Sequence, residues 1–470
     1  MDALAPKDVL SELWLGVGGA PEALAAVELS GAEPALPSSF AVGTAAQASI
    51  AAAALAAREL GRLRGGPAQQ VRVDMQHAAA EFRSERYLRI DGAAPPDPWD
   101  RIAGAYRCGD GRWVRLHTNF PHHRDGVLRL LGCDYDRAAV AQALLGWEAE
   151  RFEEAAAQAK MVVAAMRSFE EWDASPQGQA LAGLPLVSIE RIPGGDAPSQ
   201  PLPSLADGAR PLSGVRVLDL TRIIAGPVCG RTLAAHGAEV LLVTSPRLPS
   251  VPTLVIDTGR GKRTTQLDLT EADDRAALAA LAGEADVFVQ GYRPGGLSEQ
   301  GFGPEDLARL RPGIVYVSLS AYGHAGPWAT RRGYDSLVQT ASGFNAAEAE
   351  AAGSSEPKVL PMQALDHASG YLLALGAQIG LLRRATQGGS WHVRVALART
   401  GLWLRSLGRL PQGLAAHDPG FEGSQDWLET SDSGFGRMTA VRHAGILSAT
   451  PPAWTAPAMP LGSHAPRWSS

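Results

Sequence analysis

The chain has 470 residues, 45% of them hydrophobic and 20% charged, which is enough for two or three domains with an ordinary core and excludes dominant disorder. A formal net charge of −6 argues against a nucleic-acid-binding surface, while leaving room for local arginine clusters that hold an anionic ligand. Three widely spaced cysteines, Cys108, Cys133 and Cys229, exclude a disulfide framework and a cysteine-rich metal site, and suit a reduced setting.

Residues 1–14 carry three acidic side chains and no unbroken apolar run, so no secretory signal of the usual form is expected. No apolar run reaches the roughly 18 residues that a membrane span needs. The expectation is a soluble, cytoplasmic protein with no membrane or nucleic-acid partner.

Residues 1–40 are punctuated by Pro34, Pro37 and Ser38-Ser39 and read as an N-terminal arm. Residues 41–100 read as a partial repeat of a unit that recurs further on. Gln47-Ala48-Ser49 opens an alanine-rich run through Leu63, Gly65-Gly66 breaks it, and Val71-Arg72-Val73 follows. His367-Ala368-Ser369 opens a second run through Arg384, followed by Gly388-Gly389 and Val393-Arg394-Val395. Both predict helix, glycine turn, strand. The two copies lie too far apart for a solenoid or propeller, so they indicate a partial duplication or a permuted chain.

Residues 101–195 predict a small α/β domain. Gly109-Asp110-Gly111 lies between two alternating runs and predicts a hairpin, and helical patterns fill 124–131, 137–145 and 147–166. The proline-rich stretch 196–213 reads as an extended linker. Residues 214–410 then alternate, with strands predicted at 215–220, 239–243, 286–290 and 314–319 and helices at 226–236, 273–282 and 304–310. This order implies an α/β fold: a large domain with a doubly wound parallel, Rossmann-like sheet beside the smaller α/β domain. The tail, 411–470, is rich in Gly, Pro and Trp, and its strand-like pieces 437–441 and 446–448 are expected to pack back on a preceding domain.

Four places can carry chemistry. Asp366 stands at the start of the second apolar run, where the first copy has Ala46. It reads either as a helix N-cap or as a nucleophile kept ionised by the helix dipole and free N–H groups. Ala225-Gly226-Pro227 lies between a strand and a helix, a place for a ligand or merely for a turn with Pro at the first helical position. It lacks the G-x-G-x-x-G spacing of dinucleotide binding. Gly259-Arg260-Gly261-Lys262-Arg263 suits a phosphate, or is simply solvated. His117, His122 and His123 have irregular spacing without a complementing carboxylate or cysteine, so they read as a solvated loop after the hairpin, with no metal expected. His77 and His392 read as structural.

An ordered series of short motifs covers about 213–400. It runs from Val217-Leu218-Asp219-Leu220-Thr221-Arg222 and Ala225-Gly226-Pro227 to Gly261-Lys262-Arg263 with Leu267-Asp268-Leu269. It continues through Asp286-Val287, Tyr292-Arg293-Pro294-Gly295, Ser318-Leu319-Ser320-Ala321-Tyr322-Gly323, Gly326-Pro327 and Gly333-Tyr334-Asp335. The series resembles the class III CoA-transferases, the CaiB/BaiF family that includes formyl-CoA transferase.

The resemblance implies transfer of CoA from an acyl-CoA thioester to a carboxylic acid, with coenzyme A as substrate and no metal or redox cofactor. It implies Asp366 as the nucleophile, a CoA cleft lined by Ile223, Ala225, Arg260, Lys262, Arg263, Tyr292 and Arg293, and an interlocked homodimer. The chain departs from the family pattern at Glu299, where an arginine often contributes to CoA binding, and in placing its small-domain-like segment before the nucleophile half. Two alternatives stay open: a related α-methylacyl-CoA racemase, and a non-catalytic CoA-binding protein. The racemase branch has His where this chain has Tyr334, and a tyrosine with a pKa near 10 is a poor base at neutral pH.

Overall fold

A computed structural model describes residues 3–469, so the first two residues of the expected arm and the last residue of the tail lie outside the described residues. A seven-stranded sheet dominates. Its order is Lys262–Gln266, Glu239–Thr244, Arg216–Leu220, Val287–Gln290, Val315–Ser320, Trp391–Ala396 and Ser188–Arg191. The first six strands are parallel and the last pairs antiparallel. Short apolar runs such as Val287-Phe288-Val289 are buried on both faces, as a sheet wound with helices on each side requires.

One face carries Val217, Val289, Val317 and Val393 and is covered by helices Ala225–Ala235 and Ala364–Gln387. The other carries Leu218, Phe288 and Tyr316 under Ala272–Glu284 and Pro304–Leu310. This is the doubly wound large domain.

Residues 104–165 have a core of their own, with Val114, Phe152 and Ala165 packed between a three-stranded sheet and short helices. The predicted hairpin is Gly104–Arg107 with Trp113–Leu116. Here the expected helix over 147–166 needs correction: it stops at Ala149–Gln158, and Val163–Ala165 is a strand pairing with Trp113–Leu116. A short apolar run has no period long enough to separate helix from strand. Ser188–Arg191, expected within the small domain, instead forms the antiparallel edge of the large sheet.

The front of the chain is more regular than an arm. Helix Pro6–Gly16 and strand Val27–Ser30 precede helix Val42–Leu63 and strand Val71–Asp74. Val27–Ser30 pairs parallel to Val71–Asp74, which pairs antiparallel to Ile446–Leu447 from the tail. The large sheet ends in the same way, with Val315–Ser320 parallel to Trp391–Ala396 and Ser188–Arg191 antiparallel beyond. The repeat seen in sequence is thus a repeat of three-stranded units.

The helices of the two units, Val42–Leu63 and Ala364–Gln387, lie against each other. Their small residues allow close approach, and a helix apolar on all sides must be enclosed. Gln378 Nε2 donates to Ala53 O at 3.0 Å across this contact. Both helices end on a buried arginine. Arg64 donates to the carbonyls of Pro203, Pro211 and Ser213 at 2.8–2.9 Å, and Arg384 pairs with Asp286 at 2.8 Å. The Arg64 bonds fasten the expected linker to the front helix.

Candidate active site

A cavity of ≈ 510 Å³ opens at the carboxyl ends of the parallel strands, where an α/β sheet presents its ligands. Asp366 lines it from the first turn of Ala364–Gln387 and is 6% exposed. Its N-cap reading needs correction. The helix starts at Ala364 after Gln363, and it is Asp335, from helix Asp335–Ala341, that accepts the Asp366 backbone N–H at 2.8 Å. Because a second carboxylate satisfies the unpaired amide, the Asp366 side chain is free to face the cavity.

That arrangement works against a carboxylate kept ionised by the helix terminus. Burial first, then the charges of Asp335 and Glu85, push Asp366 well above the usual carboxylate range. Burial likewise raises Asp335 to about 6, against the opposing effect of its amide bonds. Two carboxyl groups this close inside the protein cannot both ionise freely.

Tyr334 also lines the cavity, and burial holds its hydroxyl up at about 12. His117 stacks on it with ring centroids 3.9 Å apart. His117 and His123 are buried and burial drives both down to about 3, so their reading as solvated is corrected, while His122 is exposed. His122 and His123 sit in the first turn of Pro121–Leu131 and line the cavity. No group of side chains able to hold a metal occurs among the described residues.

Ile223, Ala225, Tyr292 and Arg293 line the same cavity. Ile223 has φ 76°, a left-handed conformation that costs a β-branched residue of the order of 1–3 kcal/mol. The turn it makes brings Gly226 against Thr221, where an added Cβ would lie 2.3 Å from the Thr221 side chain. Gly370 allows the equally close approach of the central helix, since its Cβ would meet Ala225 O at 2.7 Å. Arg293 pairs with Glu299 at 2.8 Å, so the unusual Glu299 partly neutralises a cation at the rim.

The basic loop does not reach the cavity. Lys262 is buried, with Nζ 2.8 Å from both Asp219 and Pro227 O, and pins the start of helix Ala225–Ala235 from beneath. Arg260 pairs with Asp257 at 3.0 Å, donates to Val441 O at 2.7 Å and lies 4.0 Å over the Trp454 ring. It faces a different cavity, of ≈ 790 Å³, between the front sheet and the tail. Arg263 donates to Arg467 O at 2.7 Å. Arg260, Lys262 and Arg263, expected along the CoA cleft, do not line this cavity: neighbouring Asp257 and, from further along the chain, Asp219 and backbone carbonyls hold them instead.

Other cations take that place. Arg222, Arg247, Arg331 and Arg332 line the cavity, and sequence reasoning missed them as a group. Arg331 and Arg332 stand immediately before Gly333-Tyr334-Asp335, which was the available signal. Arg331 donates to Glu153 O at 3.1 Å and Arg332 to Lys160 O at 3.3 Å, so both also tie the small domain to the cleft.

Fold and site define a doubly wound α/β protein whose cleft sets a buried carboxyl among arginines, an arrangement suited to an anionic ligand. Residues 212–425 match the model of CoA-transferase family III. It is 32% identical over 371 residues to an acyl-CoA transferase of Gibberella moniliformis, covering 70% of this chain and 64% of that protein. It is 32% identical over 330 residues to the acetyl-coenzyme A transferase nodX of Hypoxylon pulicicidum, covering 65% and 55%. It is 35% identical over 195 residues to a succinyl-CoA:glutarate CoA-transferase of Mus musculus, covering 39% and 44%. The chain thus spans between about two fifths and just under two thirds of these relatives. A solved structure, Rv3272 from Mycobacterium tuberculosis, is 35% identical and covers 42% of this chain and 56% of that chain, with a TM-score of 0.40.

Proposed function

We propose that the protein is a CoA-transferase that moves CoA from an acyl-CoA thioester to a carboxylic acid through a covalent intermediate on Asp366. The observation that carries this reading is the placement of Asp366. It is a buried carboxyl facing an arginine-lined cavity, within the segment that matches the family.

The Asp366 carboxylate attacks the thioester carbonyl. The C–S bond breaks, CoA leaves as thiolate, and an acyl-aspartyl anhydride forms. The thiolate then attacks the aspartyl carbonyl, the anhydride C–O bond breaks, and the first acid departs as carboxylate. The acceptor carboxylate repeats the exchange on the aspartyl-CoA thioester and restores Asp366. Splitting one difficult exchange into steps with an activated leaving group is what covalent catalysis contributes. A carboxylate of raised pKa is the stronger nucleophile once ionised, and forming the neutral anhydride relieves its repulsion from Asp335. Arg222, Arg331 and Arg332 hold the CoA phosphates in this reading, with Ile223, Ala225, Tyr292 and Arg293 along the cleft.

Incubation with an acyl-CoA panel and hydroxylamine, followed by mass spectrometry of the peptide containing Asp366, tests the proposal. The expected result is a trapped adduct that Asp366→Ala abolishes; wild-type protein giving no adduct with any donor would sink it. A second reading gains support from His122, which lines the same cavity and carries a ring nitrogen where Tyr334 offers a phenol. Proton exchange next to the thioester carbonyl between Asp366 and a histidine would show as deuterium uptake at the α-carbon without adduct.

A cytoplasmic setting accompanies the proposal; no helix among the described residues is long and apolar enough to cross a membrane. The resemblance implies a homodimer. The front helix covers the central helix within one chain, and the mass in solution distinguishes a self-contained chain of 49.3 kDa from a dimer of twice that.

A further inference from the structure

The front repeat reaches the nucleophile helix at a polar point as well as through its apolar face. After strand Val71–Asp74 the chain runs through helix Met75–Glu81 to the short helix Ser84–Tyr87. Phe82 stacks on His367 with centroids 5.6 Å apart and on Tyr371 at 5.7 Å. Glu85 Oε2 lies 3.2 Å from His367 Nε2.

The segment around Glu85 is held firmly. Ser84 Oγ donates to Asp257 at 2.6 Å, and Arg231 reaches both Ser84 at 3.1 Å and Asp257 at 2.8 Å. These bonds lock it to Ala225–Ala235, whose Ala225 lines the cavity, and to Pro252–Thr258. His367 follows Asp366 directly in the chain, and its side chain is 1% exposed. Its Nδ1 has no partner, so the bond to Glu85 is the side-chain hydrogen bond that the imidazole makes among the described residues. A buried imidazole stripped of that bond would leave the first helical turn to rearrange at the residue that carries the chemistry.

We infer that Glu85, supplied by the front repeat, is a positioning residue for Asp366 that acts through its hydrogen bond to His367. The inference rests on Asp366 being the nucleophile of the proposed transfer. Glu85 is absent from the cavity lining, so it acts behind Asp366 and does not touch substrate. Its charge also joins those of Asp335 and burial in opposing ionisation of Asp366. The front repeat is by this account part of the catalytic unit, in addition to packing.

The test compares Glu85→Ala and Glu85→Gln in the full chain, reading the single-turnover rate of adduct formation at Asp366 and the KM for acyl-CoA. Glu85→Ala is expected to slow adduct formation about 10- to 100-fold at unchanged KM. Glu85→Gln keeps an acceptor oxygen and is expected within about threefold of wild type. Wild-type rates in Glu85→Ala, a loss confined to KM, or equal losses in the two variants would overturn the inference. If the wild-type chain forms no adduct, the transferase reading fails on its own. The contact is then judged by the side-chain ¹⁵N spectrum of His367, without any acyl donor. A proton on Nε2 that is perturbed in Glu85→Ala supports it, and a neutral ring protonated on Nδ1 overturns it.

Discussion

Helices Val42–Leu63 and Ala364–Gln387 occupy matching places in two three-stranded units, yet their first turns meet different surroundings. In the main unit, residues 321–363 separate strand from helix and include Asp335–Ala341 and Phe344–Ala351, which bring Tyr334 and Asp335 over the helix start. In the front unit only residues 31–41 intervene, and Ala46 is 0% exposed. Glu33 accepts the Thr44 backbone N–H in this helix's first turn at 2.6 Å, so an acid takes a helix amide here too, but a carboxylate at Ala46 would have no cavity to face. A reactive group therefore needs the inserted segment around it, and the unit that lacks the segment serves by packing and by presenting Glu85.

The sharpest way to break this comparison is to remove the acid from the main unit. Asp366→Ala should lower turnover by at least about 10³-fold with the fold intact, read from steady-state kinetics beside a circular dichroism spectrum. Next in size is Lys262→Met, which leaves Asp219 buried without its partner and should cost about 3–5 kcal/mol in denaturant unfolding. The opposite exchange, Ala46→Asp, should cost about 3 kcal/mol and give no adduct on its own peptide, because the front unit offers the acid no cavity.

A smaller effect tests the charge state. Asp335 and Asp366 both have raised values in the folded chain, so their contribution to stability is fully present below the unfolded carboxylate range and is lost as pH rises through the folded values, about 6 for Asp335. Asp366→Asn removes the repulsion and should stabilise the chain at pH 8 by about 1–2 kcal/mol while changing little at pH 4. The same cause should set the acid limb of kcat/KM in the wild type well above the ordinary carboxylate range. Arg332→Ala should raise the KM for acyl-CoA about tenfold, whereas Arg263→Ala, outside the cavity, should change it less than about twofold.

The alternation of short apolar strands with helices from Arg216 to Ser320 was legible because period and length agree there. The internal repeat was legible because small residues, paired glycines and a valine strand recur in order. The helix–strand switch at Val163 was not, since three apolar residues have no period. The Gly-Arg-Gly-Lys-Arg loop misled because a cation's role depends on its partner, and Asp219, Val441 and Arg467, which hold Lys262, Arg260 and Arg263, lie elsewhere in the chain. Arg331 and Arg332 escaped notice for the converse reason: their one local signal, adjacency to Gly333-Tyr334-Asp335, does not say that they face a cavity built from several strand ends.

The sequence by itself determined the α/β class, the duplicated unit, the family resemblance and the singular position of Asp366, all of which rest on the order of neighbouring residues. Only the tertiary structure decided which cations face the cleft, which carboxylate takes the helix amide, and that burial and neighbouring acids push Asp366 above the usual carboxylate range. Charge state follows from burial and from distances to Asp335 and Glu85, and those distances are properties of the folded chain.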